Sequence, residues 1–178
     1  MARPTLSLRA RALSYLAARE HSRLEMARKL ARHDEDGVAI EALLDQLESQ
    51  GLLSTERFVA SVLHRRAPRL GTARLRQELR AKGVPDEAMR DSLQGLADSE
   101  ESRARDVWQR RFGSPAADQR ELARHGRFLL ARGFSGEIVR RVLRQAGSDR
   151  MGEHAGDQPG GGQGHQDLDD PGPEVGDD

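Results

Sequence analysis

Apolar residues in this chain recur every three or four positions and hardly ever alternate. Ile40, Leu43, Leu44 and Leu47 fall at i, i+3, i+4 and i+7, which places them on one stripe of an α-helix. Ala104, Val107, Trp108 and Phe112 make a second stripe, closed by Gly113-Ser114-Pro115. Ile138, Val139, Val142, Leu143 and Ala146 make another. Period-two alternation is absent and β-branched residues are scarce, so strands are not expected. Ser22-Arg23-Leu24-Glu25 has the spacing of a capping box that opens a helix through Leu30. Gly51 stands where a C′ glycine ends a helix, and Leu52 is expected to fold back on the last turn.

The pattern repeats. With Gly37, Gly83 and Gly133 at a common origin, the next residue is Val38, Val84 or Phe134. Four residues on stands Glu41, Glu87 or Glu137, and ten on stands Leu47, Leu93 or Leu143. Leu79 and Leu129 precede their glycines by four, whereas Leu30 precedes Gly37 by seven, as if Asp34-Glu35-Asp36 were inserted. In each copy a helix ends at glycine and an apolar residue tucks into the junction. The next helix then begins with an acid near its positive end. Helices are expected near 8–19, 22–33, 38–50, 55–66, 72–82, 86–97, 100–112, 118–131 and 136–146. The fold class is all-α: three tandem three-helix modules at 1–53, 54–98 and 99–147, forming an elongated curved body.

Composition adds a tail and a charge asymmetry. From 148 to 178 the chain is acidic and Gly-rich with almost no large apolar residue, so a disordered C-terminal tail is expected. All 29 lysines and arginines lie within 1–150, against 21 of the 29 acids. The zero net charge therefore divides into +8 on the body and −8 beyond it, and a basic body attracts polyanions such as nucleic acid. No apolar run approaches membrane-spanning length and no secretory signal pattern is visible. Zero cysteines exclude disulfides and zinc–thiolate sites, and a cytoplasmic location is expected.

Four segments together resemble the RecX family. Arg11-Ala12-Leu13-Ser14-Tyr15-Leu16, with Arg19 to Glu25 and Lys29-Leu30, is similar to its opening module. Gly51 to Val59 resembles the junction into the second module, although Leu53 stands where an aromatic residue is expected. Leu75 to Val84 resembles the second-module core, and Phe128 to Phe134 the third. The resemblance implies a protein that lies in the groove of RecA–single-stranded-DNA filaments and inhibits the recombinase, with effects on DNA repair and recombination. It implies no cofactor, no metal and no reaction of its own, and a monomer is expected. The tail lies outside the pattern.

Two basic stretches are candidate contacts with the filament, or with single-stranded DNA directly or through it. The first is Arg65, Arg66, Arg69, Arg74, Arg76, Arg80 and Lys82, with Arg76 and Arg80 on a face opposite the Leu75–Leu79 stripe. Arg127, Arg132, Arg140, Arg141 and Arg144, together with Arg124, form the second. The competing reading of both is a solvated face, partly paired with acids such as Glu78. Arg9, Arg11, Arg19, Arg23, Arg28 and Arg32 are dispersed among acids and read as ordinary surface. Trp108 and the phenylalanines read as core, and His125 as a boundary residue. No HExxH, GxxxxGK[ST] or GxSxG occurs, and Glu100-Glu101 reads as a helix start stabilised by the dipole. The rival functions are a helical DNA-binding regulator acting without RecA, and a pure scaffold.

Overall fold

A computed structural model describes residues 6–33 and 37–154. Among the described residues nine helices run in order: α1 Leu8–Ala18, α2 Arg23–Leu30, α3 Gly37–Ser49, α4 Thr55–Arg66, α5 Thr72–Ala81, α6 Asp86–Gln94, α7 Glu100–Arg111, α8 Gln119–Ala131 and α9 Gly136–His154. A short 3₁₀ turn, Ala67–Arg69, links α4 to α5. Among the described residues there is no strand.

Local chemistry starts the helices. The hydroxyls of Ser7, Ser22 and Ser54 and the carboxylate of Asp118 accept the backbone N–H three residues on, at 3.2, 3.1, 3.2 and 2.7 Å. The Ser22 box is only half made, because the Glu25 side chain turns to Arg19 and Lys82 instead of returning to the cap.

Three separate apolar clusters form the cores. Ala12, Met26, Leu30, Ile40, Leu43, Leu44, Leu47 and Leu53 pack the first module. Phe58, Val59, Val62, Leu63, Leu75, Leu79, Val84, Met89 and Leu93 pack the second. Ala104, Val107, Trp108, Leu129, Phe134, Val139, Val142 and Ala146 pack the third. The stripes expected from the sequence are thus the buried faces.

Four expectations are corrected. Gly83 and Gly133 end their helices at φ 78° and 83°, but Gly37 lies inside the start of α3, and Val38 is 81% exposed. Only the second and third copies tuck the apolar residue inward, through Val84 and Phe134. After Gly51 it is Leu53 that enters the core, while Leu52 contributes its backbone N–H to the Leu47 carbonyl and leaves its side chain exposed. Finally, α9 runs to His154 rather than stopping at 146, so the expected onset of the tail at 148 falls within a helix. The rest of the expected tail and the Asp34-Glu35-Asp36 insertion lie outside the described residues.

The modules join through the ends of their middle helices. The Ser22 hydroxyl, already capping α2, donates to the Lys82 carbonyl at the end of α5 at 2.7 Å, and Leu24 covers Gly83. One module later the geometry recurs. Gly71 N–H donates to the Arg132 carbonyl at 2.9 Å and Ala73 N–H to the Gly133 carbonyl at 3.3 Å, so α5 starts against the end of α8. A Cβ on Gly71 would lie 2.2 Å from the Gly133 carbonyl carbon; only glycine permits this approach. Helices α8, α5 and α2 therefore meet head to tail, each positive N-terminus against a negative C-terminus.

Candidate functional site

A second set of contacts secures the joint between the second and third modules. Arg103 of α7 donates to the carbonyls of Ala67, Leu70 and Leu96 at 3.0, 2.6 and 3.1 Å. Burial lowers its pKa, so the guanidinium's charge is held at a cost that these bonds offset. Buried Glu100 accepts the Thr72 N–H at 3.0 Å, at the N-terminus of α5. Glu100 thus stands in the first turn of α7, as expected, and faces the N-terminus of α5 in the preceding module as well. Glu101 instead gathers Arg105, Arg141 and Gln145.

Ion pairing divides the candidate cations. Arg66 grips Glu78 through two bonds of 3.1 and 2.7 Å, with Arg74 at 3.9 Å, and the Arg66 bonds hold the Glu78 carboxyl below the usual range. Arg80 makes the same two-pronged pair with Asp86, which is likewise held low. Lys82 reaches Glu25 across the first joint. Burial opposes ionisation of Glu25, but the bonds from Lys82 and Arg19 outweigh it and keep its pKa low. Arg141 lies between Glu101 at 2.7 Å and Glu137 at 2.8 Å, and Arg124 pairs with Glu121. These candidate cations all have carboxylate partners.

Arg65, Arg69, Arg76, Arg127, Arg140 and Arg144 are exposed and enter no ion pair among the described residues. Arg140 and Arg144 flank an apolar groove of about 590 Å³ lined by Trp108, Leu122, His125 and Leu143. The guanidinium carbon of Arg132 lies over the Phe128 ring, 3.6 Å from its centroid.

A smaller cleft of about 290 Å³ brings Arg69 and Arg132 together with Arg110 and Arg111, beside Val107 and Phe128. Arg110 and Arg111 were not singled out from the sequence; they stand in the last turn of α7, where positive charge is ordinary. Only the fold carries Arg69, more than forty positions away, to their side.

His125 is buried rather than at a boundary, 3% exposed. The Trp108 indole N–H donates to its Nδ1 at 3.3 Å, Phe112 stacks on it with centroids 3.6 Å apart, and burial depresses its pKa. This histidine belongs to the core. No grouping of acids and histidines among the described residues could hold a metal ion, and no described helix is long and apolar enough to cross a membrane.

Comparison with known proteins agrees with the three clusters. Family models of the first, second and third three-helix domains of RecX match residues 9–47, 56–93 and 98–143. A regulatory protein RecX from Leptothrix cholodnii is 60% identical over 144 residues, covering 81% of this chain and 92% of the relative. The protein of that name from Ralstonia nicotianae is 51% identical over 157 residues, covering 88% and 97%. The crystal structure of RecX from Lactobacillus salivarius superposes with a TM-score of 0.68 at 20% identity over 79% of this chain and 95% of that one, which speaks to the fold. Three domains matched in order, and high identity across four fifths of the sequence, make this chain a member of the RecX family.

Proposed function

We propose that this regulatory protein restrains RecA recombinase. It docks as a monomer in the groove of RecA–single-stranded-DNA filaments in the cytoplasm and slows their extension and ATP-coupled work. The observation that carries the reading is that Arg65, Arg69, Arg76, Arg127, Arg140 and Arg144 on the second and third modules are exposed and, among the described residues, have no carboxylate partner. Such cations raise the encounter rate with a polyanionic filament and contribute contacts that weaken with salt. The role is binding, not chemistry. Modules joined in series suit a filament groove, since the body lengthens by repetition while each core stays small.

The test is DNA-dependent ATP hydrolysis and strand exchange by RecA with increasing protein. Inhibition is expected, reduced in an Arg76→Glu/Arg140→Glu variant of parental helicity. An unchanged recombinase rate at saturating, folded protein refutes the proposal. Equal binding to naked duplex with no effect on RecA would instead favour a DNA-binding regulator acting without it.

A further inference from the structure

We propose that the cleft between the second and third modules is a phosphodiester-binding site that holds the backbone of single-stranded DNA without reading its bases. Its rim carries Arg69 from the 3₁₀ turn, Arg110 and Arg111 from the end of α7, and Arg132 from the end of α8. No carboxylate lines it, and none of the four arginines enters an ion pair among the described residues. That sets it apart from the Arg66–Glu78, Arg80–Asp86 and Arg141–Glu101 positions, where the positive charge is already neutralised.

Two of the four guanidiniums are held in place before any ligand arrives. Arg110 donates to the Pro68 carbonyl and to the Asp106 carbonyl, each at 3.1 Å, so its plane is pinned between the two modules. Arg132 sits over the Phe128 ring and bonds the Phe128 carbonyl at 3.4 Å. Pinned guanidinium forks lose little conformational freedom on binding, and their planar donors match phosphate oxygens. Arg69 and Arg111 complete the positive wall.

The aromatic residue of the cleft favours backbone contact over base contact. One face of Phe128 is covered by Arg132, and Phe112 meets it edge-on at 5.0 Å between centroids. A base therefore finds one ring face already taken by a cation, which favours sequence-independent attraction to phosphate. The site exists only while the modules are joined. Gly71, two residues after Arg69, contacts Gly133, the residue after Arg132.

This assignment rests on the reading that these modules face filament DNA, and it is tested without the recombinase. Binding of fluorescent oligo(dT) is followed by anisotropy across a potassium chloride titration. The proteins are the parent, Arg69→Ala/Arg111→Ala, and Arg28→Ala/Arg32→Ala as a first-module pair of equal charge. The cleft pair is expected to weaken binding severalfold. It should also shallow the slope of log affinity against log salt by about 1.4, the value for two lost single-strand phosphate contacts. The first-module pair should change it much less, and Arg69→Lys/Arg111→Lys should recover most of the slope. Equal losses from both Ala pairs would reduce the cleft to diffuse charge, and no binding by the parent would also overturn it. If the cleft pair keeps parental DNA affinity but no longer restrains RecA, the cleft takes an acidic protein surface and the phosphate assignment is wrong. A parent that binds oligo(dT) through the cleft yet leaves RecA unaffected would defeat the proposed function while the cleft stands.

Discussion

Replacing Gly71 with alanine tests the joint directly. Its backbone, at φ −77° and ψ 163°, is one that alanine adopts freely, so the effect is purely steric. The new Cβ would lie 2.2 Å from the carbonyl carbon and oxygen of Gly133 and 2.3 Å from the nitrogen of Phe134. All three are backbone atoms and cannot rotate aside, so the modules must part by roughly 1 Å to restore ordinary contact. That parting breaks the Gly71–Arg132 and Ala73–Gly133 hydrogen bonds, about 1 kcal/mol each, and adds about 1–3 kcal/mol of residual overpacking. Alanine returns about 0.4–1 kcal/mol through the unfolded chain. The net loss is about 2–4.6 kcal/mol, or roughly 4–18 °C in melting temperature for a chain of this size. Trp108 is the only tryptophan and belongs to the third cluster, so its fluorescence reports that module while far-ultraviolet circular dichroism reports all three. Parental curves should coincide and those of Gly71→Ala should separate, with oligo(dT) binding reduced in parallel. A single coincident transition at the parental temperature would refute the claim that this glycine contact couples the modules.

Three further outcomes are expected. Gly126→Ala, in mid-α8 where a Cβ would meet Leu143 at 3.8 Å and Val139 at 4.0 Å, should stabilise by about 0.8–1 kcal/mol and raise the melting temperature by roughly 2–4 °C. Arg103→Met should strand the carbonyls of Ala67, Leu70 and Leu96 and cost about 2–4 kcal/mol by denaturant titration, with lysine a poor substitute for the forked donor. His21 and His125 both have pKa values pushed below the ordinary 6.5, chiefly by burial. The unfolded chain then takes up protons that the native state refuses, so their contribution is full above about pH 6.5 and declines as pH falls below it. The melting temperature should be lower at pH 5.5 than at 7.5, and His125→Gln, which keeps an acceptor for Trp108, should flatten that difference.

The helices, their apolar stripes and the triple repeat were legible in the sequence, because each depends on residues within a turn or two of one another. Leu75 and Leu79, or Val139 and Val142, share a face by helical geometry alone, and that face had to be buried. The glycines at 83 and 133 were legible as helix ends for the same reason. Gly37 shows where the pattern misleads: the same spacing, without Val38 inside, marks a helix start rather than a stop. What the tertiary structure decided is which charges remain available. Arg66, Arg69, Arg80 and Arg141 look alike along the chain, yet three are paired with Glu78, Asp86, Glu101 and Glu137, and Arg69 has no such partner among the described residues. The second role of Gly71 and Gly133, and the gathering of Arg69, Arg110, Arg111 and Arg132, depend on backbones brought together from up to about sixty positions apart. Hydrophobic periodicity is a property of one helix at a time, whereas the neighbours of a surface charge are set by how the helices pack.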